Sequence, residues 1–261
     1  AYVQIVPSAK GIKGNIEKEL GGDTDAAGKS IGGRLGSALK GAVAAAGIGA
    51  ALSAAIGQGA ALEQSIGGIE TLFKGSAGKL QDYASQAYKT AGVSANTYME
   101  TVTSFSASLM QSLKGDTSKA ADSANMAMVD MSDNANKMGT NIGDIQNAYQ
   151  GFAKQNYTML DNLKLGYGGT RKEMQRLLDD AREISGQEYD ISNLNDVYSA
   201  IHVIQGELDI TGTTAKEASS TLSGSFESMK AAFTDVLGNL ALGKDITPSL
   251  QALVQTASTY L

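Results

Sequence analysis

The sequence predicts an all-α protein: a succession of amphipathic helices, in bundle or coiled-coil segments, with a Gly/Ala-rich hydrophobic helix near the N-terminus. Three observations lead there. The only two prolines are Pro7 and Pro248, so nearly everything between them can be helix without a proline break. From Ser65 onward, apolar residues recur at helical spacing, and after Val6 almost no stretch alternates as a strand would. Large side chains are scarce, with five Phe, ten Tyr and no Trp against abundant Gly and Ala, which favours thin helix-on-helix packing over a thick core.

The first stretch, residues 1–40, is expected to be a partly ordered arm. Ala1 to Val6 is a short β-prone run ended by Pro7, too short to be a sheet alone. It reads as a loose arm or an edge strand added to a partner. Residues 8–40 are polar and punctuated by glycine, with weak periodicity at Ile31, Leu35 and Leu39. Six Lys/Arg against four Asp/Glu give the arm a charge of +2 in a chain of net charge −6.

Residues 41–63 are the Gly/Ala-rich hydrophobic helix. From Gly41 to Leu62 there is no charge, and Lys40 and Glu63 bracket the run. As a helix it would span about 33 Å, close to the ~30 Å hydrocarbon core of a bilayer. Gly41, Ala45, Gly49, Ser53, Gly57 and Ala61 recur every fourth residue and make a ridge with almost no side-chain bulk. Such a ridge lets two helix backbones approach closely, in a membrane or in a tight bundle. Three readings are open: a helix buried in its own protein, a segment that self-associates and enters a membrane, or a flexible linker. If it inserts, Lys29, Arg34 and Lys40 place the arm on the cytoplasmic side.

Residues 64–245 carry the main helical region. Leu80, Tyr83, Ala84 and Ala87 mark one helix. Ser94 is expected to cap the next, with Tyr98, Val102, Phe105, Leu109 and Leu113 on one face and Gly115 at its end. Ala124, Met128, Met131, Ala135, Met138 and Ile142 follow a 4,3,4,3,4 spacing, a heptad seam of soft Met and small Ala. Thr170 and Glu173 form a capping box for Arg171 to Ile184, closed by Gly186. Ser192 is expected to cap a helix bearing Leu194, Val197, Ile201, Ile204 and Leu208. Thr214 and Glu217 make a second capping box, and the helix that follows shows a second seam at Leu222, Phe226, Met229, Phe233, Val236 and Leu240. Residues 246–261 open a further helix, with Thr247 as N-cap and Pro248 in its first position. Short Gly-marked breaks permit antiparallel fold-back.

Tests for chemistry end in exclusion. Without Cys there are no disulfides, thiolate metal sites or Cys nucleophiles. The acidic balance argues against nucleic-acid binding through phosphate contacts. Gly28-Lys29-Ser30 resembles the end of a phosphate loop, but Gly22 is one residue too far away. Asp23, Asp25 and Gly28 resemble a calcium loop, yet Ala27 and Arg34 occupy ligand positions. His202, the sole histidine, lies on a helix between Ile201 and Val203 with no second His or Cys for a dyad or zinc site. The carboxylate pairs Asp179/Asp180 and Asp130/Asp133 read as solvated helix faces. No enzyme signature, cofactor or metal site emerges.

Several blocks resemble the N-terminal part of tail tape measure proteins of long-tailed phages and prophages of Gram-positive bacteria. They are VQIVPSAKGI (Val3 to Ile12), the Gly/Ala run after Lys40, the long block from Met126 to Ala181 beginning MAMVDMSDNANKMG, and SFESMKAAFTDVLGNLALG (Ser225 to Gly243). The resemblance implies a non-enzymatic ruler inside the virion's tail-tube lumen. Tube subunits polymerise around such a protein, its length sets tail length, and it leaves ahead of the DNA to help form a passage through the host membrane. Implied partners are tail-tube, tail-tip hub and tail-assembly chaperone proteins, with self-association in few copies, often three. Members are usually several times longer, so a portion of a longer protein is expected. The alternative is a membrane-active, pore-forming effector built on residues 41–62.

Overall fold

The computed structural model describes residues 57–220 and 222–260, and every regular element in them is helical. The N-terminal arm, its β-prone run and the ridge positions Gly41, Ala45, Gly49 and Ser53 lie outside the described residues. The chain runs through α1 (57–73), a 3-10 turn (Lys74–Ser76), α2 (Ala77–Thr90), α3 (Ala95–Ser112), α4 (Thr117–Met138) and α5 (Ile142–Phe152). A second 3-10 turn (Leu160–Leu163) leads to α6 (Arg171–Ser185), α7 (Leu194–Glu207), α8 (Thr213–Ser220), α9 (Leu222–Ala241) and α10 (Thr247–Tyr260).

Local chemistry sets the boundaries. The side chains of Ser94, Asp116, Asn141 and Thr170 each accept a backbone N–H from the first turn of the helix they precede. Each such cap satisfies a donor the helix leaves unpaired. Gly139 (φ 61°) and Gly186 (φ 72°) end α4 and α6 in the left-handed conformation that glycine adopts without a Cβ penalty. Because the connections are short, successive helices fold back on one another.

Four details depart from the sequence reading. Asn193, one residue after Ser192, caps α7 and accepts from Asn195 and Asp196. The box at Thr170 closes only in its forward half, since Glu173 turns its carboxylate to the N–H of Gly168, 3.2 Å away. Asp245 accepts the N–H of Thr247, which places Thr247 inside α10. The segment after Gly212 is two helices, and Thr214 lies inside the first. The two pack closely, since a Cβ on Gly224 would come 2.5 Å from the carbonyl oxygen of Glu217.

α4 is the axis of the fold. Ala124, Met128 and Met131 are wholly buried, and Ala135, Met138 and Ile142 are partly buried against the same core. The first heptad seam is thus filled by other helices of its own chain. Ala120, Ala121 and Ala127 are also fully buried and widen the covered face of this helix. Around it runs an aromatic chain. Phe105 meets Tyr198 edge-on at 5.5 Å, Tyr198 meets Tyr149 at 5.0 Å, and Tyr149, Phe152 and Tyr157 continue it.

The second seam is differently placed. α9 and α10 pair as a hairpin around a separate cluster of Ala231, Ala232, Val236, Ala252 and Leu253, with Met229 and Phe233 packed beside it and Tyr88 joining from α2. Phe226 remains 44% exposed, whereas Ser225 and Ser228 are buried. The inward stripe is therefore built from small residues. At the far end of α9, a Cβ on Gly59 of α1 would meet that of Ala241 at 2.5 Å, so bulk cannot be accommodated where these helices cross.

Candidate functional site

The most unusual chemistry lies inside α4. Asp130, Ser132, Asp133 and Asn134 are at most 5% exposed, in the middle of an otherwise apolar core. The expectation that Asp130 and Asp133 form a solvated face is overturned. The arc of α4 covered by neighbours is wider than its Met seam and takes in both carboxylates. A buried charge is costly unless it is paired and hydrogen-bonded. Asp130, Asp133 and Asn134 each find a partner on a different element.

Asp130 faces α7. Both of its carboxylate oxygens contact Nδ1 of His202, at 2.8 and 3.0 Å, while the imidazole side chain stays 41% exposed. That contact raises the His202 pKa, against an opposing contribution from partial burial. Burial pushes the Asp130 carboxyl up as well, against the pull of His202. Asp133 takes the place expected for the Thr214 capping box. Its two oxygens accept the N–H groups of Gly212 (2.6 Å) and Thr214 (2.8 Å), which caps α8 from across the core. Asn134 donates to the carbonyl of Leu163 at 3.0 Å and fastens the second 3-10 turn.

The polar track continues beside α5 and α7. Tyr198 donates to the carbonyl of Tyr149 at 2.9 Å, and Gln205, fully buried, reaches the Tyr149 hydroxyl at 3.4 Å. Burial drives both phenols well above the ordinary tyrosine range. Oxygens of Ser132, Asn134 and Gln205 are buried without a hydrogen-bond partner.

An imidazole oriented by a buried carboxylate is one half of a general-base arrangement. The four principal cavities, of about 250, 530, 360 and 340 Å³, are not lined by His202. Among the described residues no group of three His, Asp or Glu is placed to hold a metal ion. What the arrangement does is pin: α7, α8 and the second 3-10 turn are each tied to α4 by one buried polar side chain.

No family model, curated protein or solved structure matches the chain. The site therefore rests on its geometry alone.

The residues singled out in the sequence are dispersed. Met128 and Met131 lie in the core within one turn of the carboxylates, and Met138 at the end of α4 is half-buried. Gly57 is exposed and Ala61 half-buried; Ala61 lines an open groove with Ser65, Gly68 and Thr103 between α1 and α3. The close helix crossing is made two residues away, by Gly59. Leu222 begins α9, while Met229 and Phe233 support the hairpin cluster. Asp180 accepts the Tyr167 hydroxyl at 2.7 Å and Asp179 is exposed, so that pair does lie on a polar face.

Proposed function

We propose that the chain is a helical part of a phage tail tape measure protein, a ruler in the tail tube that is released on infection to help DNA cross the host envelope. The observation that carries this reading is the sequence block from Met126 to Ala181. The same block supplies the second half of α4, α5, the second 3-10 turn and most of α6, and includes the pins Asp130, Asp133 and Asn134. Its partners in this role are tail-tube, tail-tip hub and tail-assembly chaperone proteins and further copies of itself. An acidic chain in the same lumen as DNA would be repelled by it, which favours clean expulsion.

The test is an in-frame deletion of residues 65–243 from the parent gene, with tail length measured by electron microscopy. If this region lies extended in the tube, tails shorten by about 270 Å at roughly 1.5 Å per helical residue. If it keeps the folded-back form, the loss is no more than the width of the fold, about 40 Å for a chain of this size. Unchanged tails take these residues out of the ruler. The competing effector reading concerns residues 41–62, most of which lie outside the described residues. Among the described residues no helix is long and apolar enough to cross a membrane. Liposome leakage caused by the isolated chain would favour the effector.

A further inference from the structure

The α9–α10 hairpin is joined to the rest of the fold unlike any other element. Among the described residues, its cluster has six buried apolar members, and Tyr88 alone comes from the body. Many of the facing residues are small: Ser225, Ser228, Ala231 and Ala232 on the hairpin, and Gly59 against Ala241, with Leu62 of α1 packed on Gly238. Small side chains remove little apolar area from water, so this contact contributes less than the Met and aromatic core.

Cavities flank the contact. One of about 250 Å³ lies between Leu62, Tyr88, Met99, Asp235 and Ala252. Another, of about 360 Å³, is lined by Ser132, Thr214 and Ser228 among others. The hydroxyls of those three residues are buried without a hydrogen-bond partner. Each such group costs roughly 1–3 kcal/mol. Packing and polar satisfaction both fail along one surface.

Across that surface runs a side-chain hydrogen bond to backbone. Asp235 of α9 accepts the N–H of Ala95, the first residue of α3, at 2.8 Å. The groups around it are few. Tyr88 approaches from α2, and Lys244 of the α9–α10 connection lines the same cavity; α1 brings Leu62 and Ile66, and α10 brings Pro248, Ser249 and Ala252. No ion pair joins Asp235 to Lys244 among the described residues. Burial pushes the Asp235 carboxyl up to about 7, against the pull of the Ala95 N–H.

We propose that the α9–α10 hairpin is a latch: it opens as a unit while the α4 core stays folded, and the Asp235 carboxyl at the α3 N-terminus sets how tightly it closes. Opening uncovers Tyr88, Leu62 and the crossing at Gly59. The inference concerns the fold and stands whichever role the chain serves. The sign follows from linkage. A carboxyl whose pKa is raised in the closed state holds its proton more tightly there than in the open state. Closure is therefore favoured at acid pH and weakens as pH rises toward and past 7. Between pH 5 and 8 the opening constant should rise roughly a hundredfold if the opened carboxyl returns to its ordinary value.

Hydrogen exchange on the full chain, expressed as protection factors, tests this. The expected result is protection over residues 231–253 at least tenfold below that of Met128 to Asn134, falling as pH is raised from 5 to 8. Asp235→Asn, which keeps the oxygen that faces Ala95, should remove the pH response. Gly59→Ala, which places a methyl against Ala241, should lower hairpin protection and leave α4 unchanged. Hairpin protection equal to that of α4, or indifferent to pH in the unaltered chain, overturns the proposal.

Discussion

Asp133→Ala tests the pinning of the core most directly. The carboxylate has no exposed surface and accepts two backbone N–H groups, at 2.6 and 2.8 Å, from the turn that starts α8. A hydrogen bond to a charged group contributes about 1.5–3 kcal/mol. Alanine removes both and leaves two donors of a part-buried turn facing a methyl. The expected cost is about 3–5 kcal/mol, a large share of the 5–15 kcal/mol that typically holds a domain together. With an m-value of roughly 2 kcal/mol/M, the urea midpoint followed by far-UV circular dichroism should fall by about 2 M. Asp133→Asn should fall between, because one oxygen remains while its amide NH₂ opposes the second N–H. Asp179→Ala, on the exposed face of α6, is the control and should change stability by less than about 0.5 kcal/mol. A loss for Asp133→Ala no larger than that of the control would refute the claim that this carboxylate holds α8 in place.

The remaining predictions concern single groups. His202 has its pKa raised by Asp130, so its contribution is fully present below its ordinary value near 6.5 and is lost as pH rises through the higher folded value. His202→Gln should flatten that part of the stability profile between pH 5.5 and 8.5, and parallel urea midpoints for the two proteins would contradict it. Gly169→Ala would drive a methyl into the carbonyl group of Thr158 and should cost about 1–3 kcal/mol in thermal or urea unfolding. Gly67→Ala, inside α1 with nothing near its new methyl, should gain up to about 1 kcal/mol in the same assay.

Helix positions could be read because their signals are local. The seam at Met128 and Met131, the caps at Ser94 and Thr170, and the stop at Gly186 each depend on residues within a few positions of one another. The buried polar track could not be read this way. Asp130 meets His202 from 72 positions away and Asp133 meets Gly212 from 79. In the sequence, both acids look like the solvated flank of an amphipathic helix. The hairpin misled for a related reason. The 4,3,4,3,4 spacing of Leu222 to Leu240 marks where large side chains are, but Ser225, Ser228, Ala231 and Ala232 are among the residues that turn inward.

The aromatic chain through Phe105, Tyr198, Tyr149, Phe152 and Tyr157 gives this protein an optical reporter of its own. With no tryptophan, its near-ultraviolet dichroism arises chiefly from tyrosine, and Tyr98, Tyr149 and Tyr198 are wholly enclosed in the central packing. Loss of that signal would register dissolution of the centre, whereas release of the C-terminal helices would alter chiefly the surroundings of Tyr88. A spectrum taken without any label can therefore distinguish partial opening from complete unfolding.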